Sequence, residues 1–533
     1  MTDIDSSTLR RALHDGDEIA LLDVREQGEF GQCHLFHANN TSLSRLELDV
    51  PRLVPRPGTR IVLTSAGQSD LFHRAADVLG QLGYRDVRIC PDRVEDWEAA
   101  GFTLYSGINV PSKAFGEAVE HHFGTPSIKP EALKDMQDRD DDLVVLDSRT
   151  FAEYRNMSIP GGISMPGGEL AYRVRDFAPR PETTVVVNCA GRTRSILGAQ
   201  SVINSGIPNR VMALENGTMG WHLAGLALEH GREDRYRDGL PESLAEAEVM
   251  RDRIAQAYGI SYIDRDTLDA WRADSAQRTL YLLDVRDPEE FNAGHLPGSR
   301  SAPGGQLVQA TDFQIAVPSG RIVLVDDTGV RATMTAHWLV QMGFRDVHVL
   351  RGGLGPQGDL ETGSVAPVSD ADVPRISPGA LAEQIGQPDV FILDLGESRA
   401  HRKAHIPGAR WAIRTRIAET GPALPVRGLI VLTSEDGAVA SLAVEEVSAL
   451  SDAEVRVLAG GTDAWIARGL SCEADLSYPA DDACVDVYLR AYDRNVDVEA
   501  RMQEYIDWEI ALVDQISRDP DVNFKLGPIS DHG

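Results

Sequence analysis

The chain has 533 residues, 42% of them hydrophobic and 25% charged, a composition that fits a folded globular protein and argues against wholesale disorder. With 52 basic residues against 82 acidic ones the net charge is −30, which disfavours nucleic acid and anionic lipid as partners. At roughly 150 residues per domain, three to five domains are expected.

No run of about 18 apolar residues exists to span a bilayer. The start, Met1-Thr2-Asp3-Ile4-Asp5, lacks the basic and apolar regions of a signal peptide. Five cysteines, Cys33, Cys90, Cys189, Cys472 and Cys484, are scattered without CxxC or zinc-like spacing. A reducing cytoplasm is expected, with no metal and no cofactor.

Taken in chain order, one pattern recurs four times. It opens with an apolar strand ending in Asp: Leu21-Leu22-Asp23-Val24-Arg25, Val145-Leu146-Asp147-Ser148-Arg149, Leu282-Leu283-Asp284-Val285-Arg286 and Leu393-Asp394-Leu395-Gly396. A short polar helix and a turn follow, the turns being Cys33-His34-Leu35, Ser158-Ile159-Pro160-Gly161, Gly294-His295-Leu296-Pro297-Gly298 and Ala404-His405-Ile406-Pro407-Gly408. Next comes a second apolar strand, at Ile61-Val62-Leu63, Val185-Val186-Val187, Ile322-Val323-Leu324 and Ile430-Val431-Leu432.

An amphipathic helix then ends at Gly83, Gly206 or Gly343 in three copies, as a left-handed helix terminus prefers. A third strand and a Gly-rich turn complete the unit. From the Asp to the residue opening the second loop there are 42 positions in the first three copies (Asp23 to Ser65, Asp147 to Cys189, Asp284 to Asp326) and 40 in the fourth (Asp394 to Ser434). Short apolar strands alternating with helices predict α/β units, each a parallel sheet with helices on both faces.

Between the second and third copies, residues 232–258 read as a polar linker that is helical after Pro241. After the fourth, residues 473–533 are acidic. Met502, Tyr505, Ile506, Leu512, Val513 and Ile516 lie there at helical spacing, predicting a helix docked on the array or on a partner chain.

One loop carries chemistry. The second copy runs from its strand into Asn188-Cys189-Ala190-Gly191-Arg192-Thr193-Arg194-Ser195. A cysteine between a strand's carboxyl end and a helix N-terminus sits where open α/β sheets place ligands. Unpaired helix N–H groups there favour an anion, which predicts a thiolate at neutral pH. Arg192 and Arg194 add positive charge, and Gly191 lets the loop bend around the sulfur, forming a cradle for a thiolate, a persulfide or an incoming oxyanion. The other copies place Ser65, Asp326 and Ser434 at the cysteine's position; serine without a base is a weak nucleophile, and Asp cannot hold sulfur as a persulfide. Cys33 reads as a surface bystander or a relay thiol, Cys90 as core, and Cys472 with Cys484 as either separate thiols or a redox pair. His34, His295 and His405 read as hydrogen-bonding residues of the turns.

These motifs together, the Asp-x-Arg strand end, the GHLPG stretch at Gly294–Gly298, the Cys189 loop and the Gly-rich turns bearing Trp97, Trp221 or Trp465, resemble the rhodanese family. The resemblance implies four tandem rhodanese-like domains at residues 1–106, 126–231, 259–362 and 373–472, the second catalytic, followed by the helical tail. It implies a sulfurtransferase that moves sulfur from thiosulfate or a related small anion to cyanide or a thiol through a persulfide on Cys189. Ala190, Gly191, Arg192, Thr193, Arg194 and Ser195 would bind the substrate, with Asp147 and Arg149 bracing the loop. The four residues between Cys189 and Arg194 match sulfurtransferases, where related phosphatases and arsenate reductases have five. A persulfide carrier fed by a sulfur-donor protein, with the other three copies as docking scaffold, is the alternative.

Overall fold

The computed structural model describes residues 2–355, 359–363, 372–494 and 496–529. Residues 356–358, in the expected third unit, and 530–533, in the tail, lie outside them.

Four five-stranded sheets follow one another along the chain, and each has the strand order first–fifth–fourth–second–third. Their strand pairs are parallel. In the second unit the strands are Ser127–Ile128, Leu143–Asp147, Gly162–Ser164, Thr184–Asn188 and Val211–Leu214. Every residue of Thr184–Asn188 is buried, which suits a β-branched run in a sheet covered on both faces.

This order fixes where a ligand can sit. The second and fourth strands are neighbours, with Asn188 level with Asp147. The chain leaves them in opposite directions, so their carboxyl ends flank the topological switch point, where the loops part and leave a crevice. Cys189 follows Asn188 directly. The helix Thr193–Ser205 begins four residues later and ends at Gly206, whose φ of +81° closes it in the left-handed region.

A single apolar core joins the first three units, with Leu63, Val187 and Leu324 from their fourth strands and Phe115 and Val119 from the helix Val110–Phe123. That helix lies between the first two expected units and was not read from the sequence. The fourth sheet has a core of its own. Ion pairs tie it to the first unit: Arg414 to Glu47 at 2.9 Å and Arg416 to Glu29 at 2.6 Å.

The linker forms the helix Leu244–Tyr258, which puts Ile254 and Tyr258 into the shared core. The tail forms the helix Val498–Ile516 and docks within the chain. Met502 and Ile506 pack on Met219 of the second unit, and Leu512 packs on Phe36, Tyr105 and Val110. Among the described residues, no helix is long and apolar enough to cross a membrane.

Candidate active site

Asp147 and Arg149 end the second strand as a buried pair. Arg149 donates through Nε and Nη2 to the carboxylate at 2.8 and 2.7 Å, and Nη2 also reaches the Met157 carbonyl at 2.6 Å. Asn188 Nδ2 donates to the same carboxylate at 2.8 Å, tying the strand that carries Cys189 to its neighbour. The first and third units repeat the pair as Asp23–Arg25 and Asp284–Arg286. In the fourth, where Gly396 replaces the arginine, His401 Nδ1 meets Asp394 at 2.7 Å. A brace found in units without the cysteine belongs to the fold.

Cys189 is only 2% exposed. Its thiol donates to Ser195 Oγ at 3.5 Å, and Ser195 Oγ donates to the Arg192 carbonyl at 2.8 Å. The Cys189 carbonyl accepts from Thr218 N–H at 2.8 Å, and the Ala190 carbonyl from Met219 N–H at 3.0 Å. These bonds draw the Gly-rich turn against the loop. A Cβ on Gly217, at φ +56°, would stand 2.3 Å from the Cys189 carbonyl oxygen, so only glycine fits there.

Arg194 forms a forked pair with Glu153, both contacts at 2.8 Å. Burial works against the charge on Glu153, but Arg194 and Arg149 outweigh it and hold the carboxyl well below its usual range. Glu153 also caps its own helix, accepting from Thr150 N–H and Oγ1. The Thr150-x-x-Glu153 capping box was a sequence signal that could have marked it.

The structure bears on two expectations. The Arg192 guanidinium does not offer itself to a substrate: Glu117 takes Nε at 2.7 Å and Nη2 at 2.8 Å, Glu120 also accepts from Nη2, and Asn216 accepts from Nη1 at 3.2 Å. A guanidinium saturated by two carboxylates has little charge left for an incoming anion. The second concerns the Cys189 thiol. Burial pushes it above its ordinary value, Arg194 and the Ser195 hydroxyl and N–H pull it back, and Glu509 adds to the push.

Glu509 belongs to the tail helix, which lies directly on the loop. It accepts from Thr193 Oγ1, so this side chain faces the tail, and it pairs with Lys113 Nζ at 3.6 Å. A Cβ on Gly191 would meet Tyr505 at 3.3 Å and Glu509 at 3.4 Å. Lys113 Nζ donates to the Tyr505 hydroxyl. Lys113, Glu117, Tyr505 and Glu509 were missed as site residues. Their only sequence signal is helical spacing, which says nothing about a loop 75 residues from Glu117 and 316 from Glu509.

In the third unit Asp326 replaces the cysteine and its carboxylate fills the cradle. Oδ1 accepts from Gly329 N–H at 2.5 Å, and Oδ2 from Arg331 N–H at 2.9 Å and Ala332 N–H at 3.4 Å. Arg331 pairs with Glu290 at 2.6 Å, as Arg194 does with Glu153. Ser65 Oγ donates to the Gln68 carbonyl at 2.8 Å, whereas Ser434 Oγ accepts from Ala440 N–H at 3.3 Å.

The remaining cysteines are free: Cys90 and Cys484 are buried, Cys33 half-buried and Cys472 exposed. Burial lifts the Cys90 thiol to about 11. His295 and His405 bond through Nδ1 to the carbonyls of Phe291 at 2.9 Å and His401 at 2.7 Å, and His34 to those of Leu35 and Gly107.

Braced strand ends and a buried cysteine at the switch point, just before a helix, mark one loop of a repeated α/β unit. The rhodanese-like domain matches residues 129–224, 265–355 and 377–468, and the chain belongs to that family. A crystal structure of thiosulfate sulfurtransferase from Pseudomonas aeruginosa is 44% identical, with a TM-score of 0.89 over 99% of this chain and 100% of that one. The thiosulfate sulfurtransferase GlpE of Pseudoalteromonas translucida is 31% identical over 93 residues, 16% of this chain and 86% of its own. The probable adenylyltransferase/sulfurtransferase MoeZ of Mycobacterium tuberculosis is 36% identical over 107 residues. This match takes in 20% of the present chain and about a quarter (26%) of MoeZ.

Proposed function

We propose that this rhodanese-type sulfurtransferase takes the outer sulfur of thiosulfate onto Cys189 and passes it to a thiophilic acceptor. The Cys189 thiolate attacks the sulfane sulfur; the sulfur–sulfur bond of thiosulfate breaks, its electron pair leaves with sulfite, and a persulfide anion remains on Cys189. Cyanide or a thiolate then attacks the outer sulfur, and the electron pair of the persulfide bond returns to Cys189. Each transfer conserves charge and needs no outside oxidant or reductant.

The observation that carries this reading is the Asp326 carboxylate in the third unit. Counted from the braced Asp, Arg331 and Ala332 correspond to Arg194 and Ser195, and both pairs lie in the first turn of a helix, so these two backbone N–H groups are available to an anion on Cys189. A persulfide is a stronger acid than its parent thiol and extends one atom further, toward where the carboxylate oxygens sit. Arg194 also supplies the nearby positive charge. Residues 1–106, outside the family match, share the strand order of the other three units, and we read them as a diverged fourth copy without a nucleophile.

Purified protein given thiosulfate and cyanide is expected to form thiocyanate, and Cys189→Ser to lose at least ~10³-fold of the rate with its fold intact by circular dichroism. Wild-type turnover in the variant would remove Cys189 from the reaction. Silence with thiosulfate, together with a persulfide formed only from a cysteine desulfurase, would favour the carrier alternative.

A further inference from the structure

Beside the Cys189 loop lies a cleft of about 860 Å³ that opens at Ala190 and Glu153. Three separated parts of the chain build it: the second unit, the helix Ser398–Lys403 of the fourth unit, and the tail at Arg490–Asp493 and Val498–Met502. Thiosulfate and cyanide would fill little of this volume, which is typical of pockets that hold ligands of drug or small-peptide size (~300–1,000 Å³).

The charges in the cleft are unevenly satisfied. Two of its carboxylates have a cation, Glu153 with Arg194 and Asp493 with Arg399 at 3.5 Å, while Glu499 lies 3.6 Å from the His222 imidazole. Arg399 is further met by Glu397 at 2.9 Å. Two cations differ. The side chain of Arg490 donates to the Tyr492 hydroxyl at 2.9 Å, and among the described residues it has no carboxylate within salt-bridge distance; Lys403 is exposed and has none either. In a chain of net charge −30, two cations that face one cleft with no carboxylate in salt-bridge distance among the described residues are a feature to be explained. Met219, Met502 and Leu226 give the same cleft an apolar side.

We infer that this cleft binds a carboxylate-bearing thiol of peptide size, the acceptor of the sulfur. Arg490 and Lys403 take its carboxylates, and the apolar side takes its alkyl stem. The proposal rests on Cys189 being the sulfur-bearing residue, and it gives the fourth unit, which has no nucleophile, a part in the site through Lys403. The acceptor enters as a thiolate, having lost its proton to water, and attacks the outer sulfur of the Cys189 persulfide. A new sulfur–sulfur bond forms on the acceptor as the persulfide bond breaks, its electron pair returning to Cys189.

Glutathione, its unreactive S-methyl derivative and cyanide serve as probes on the full chain. S-methylglutathione is expected to bind the wild type in calorimetry, about tenfold more weakly to Arg490→Gln and about threefold more weakly to Lys403→Gln. The ratio of kcat/KM for glutathione to that for cyanide should fall by the same factors, and Arg490→Lys should restore most of the loss. Equal binding of S-methylglutathione to wild type and both Gln variants overturns the proposal. So does an Arg490→Gln loss that is the same for glutathione and cyanide, or that Arg490→Lys shares in full. Binding needs no sulfur transfer, so it tests the cleft separately from the role of Cys189, which the Cys189→Ser assay decides.

Discussion

The loops at Cys189 and Asp326 occupy the same place in their units but differ in backbone: Arg192, at φ −117°, stands where Gly329 takes φ +78°. Each stands 42 positions beyond a braced Asp, each begins a helix, and each keeps an arginine paired to a glutamate of the same unit (Arg194 to Glu153, Arg331 to Glu290). Both also press a glycine onto the loop: a Cβ on Gly353 would stand 2.8 Å from the Asp326 carbonyl oxygen, as one on Gly217 would crowd that of Cys189. Burial raises both acids, Asp326 to about 6, despite cations and N–H groups that favour the charged form. The comparison teaches that the cradle is a general anion seat, and that the chemistry depends on which atom is seated in it.

The largest effect should come from exchanging that atom. Asp326→Cys is expected to add a second thiosulfate-dependent persulfide per chain, seen by mass spectrometry of peptides. If that thiol stays unmodified, access from the surrounding elements separates the two loops, and identity of the seated atom is not enough.

Arg194→Gln comes next. It removes the nearby cation and leaves the half-buried Glu153 without its forked partner, so kcat/KM for thiosulfate should fall about 10²–10³-fold. A loss below tenfold would mean that the backbone N–H groups alone hold the sulfur.

The smallest effect is a pH dependence of stability. The folded-state value of Asp326, about 6, lies above its ordinary 3.8, so its contribution is fully present below about pH 4 and is lost as the pH rises through 6. The loss amounts to about 2–3 kcal/mol, and Asp326→Asn should flatten the denaturation midpoint of the third unit across pH 4–6. An unchanged slope would show that the N–H groups hold the carboxylate without cost.

Much of this was legible in the sequence because it is local or repeated. The Asp-x-Arg brace recurs in three units, and the strand before the loop and the Cys189 position follow from an Asp-to-loop spacing of 42 in three copies and 40 in the fourth. What escaped was set by long-range packing. Nothing near Arg192 announces that Glu117 and Glu120 will take its guanidinium, since they lie on a helix outside the repeat. Likewise the periodicity of Met502, Ile506 and Leu512 predicts a docked helix but not the loop beneath it, where Glu509 meets Thr193. Burial of Cys189, which pushes its thiol up against the pull of Arg194 and Ser195, likewise appears only in the assembled fold.

The central claim is that sulfur is held at one position of the four. Mass spectrometry of the chain after exposure to thiosulfate, followed by peptide mapping under non-reducing conditions, tests this directly. The account predicts one added sulfur atom per chain, carried on the peptide containing Cys189 and removed by cyanide. An added sulfur on the peptides of Cys33, Cys90, Cys472 or Cys484, with none on that of Cys189, would contradict it.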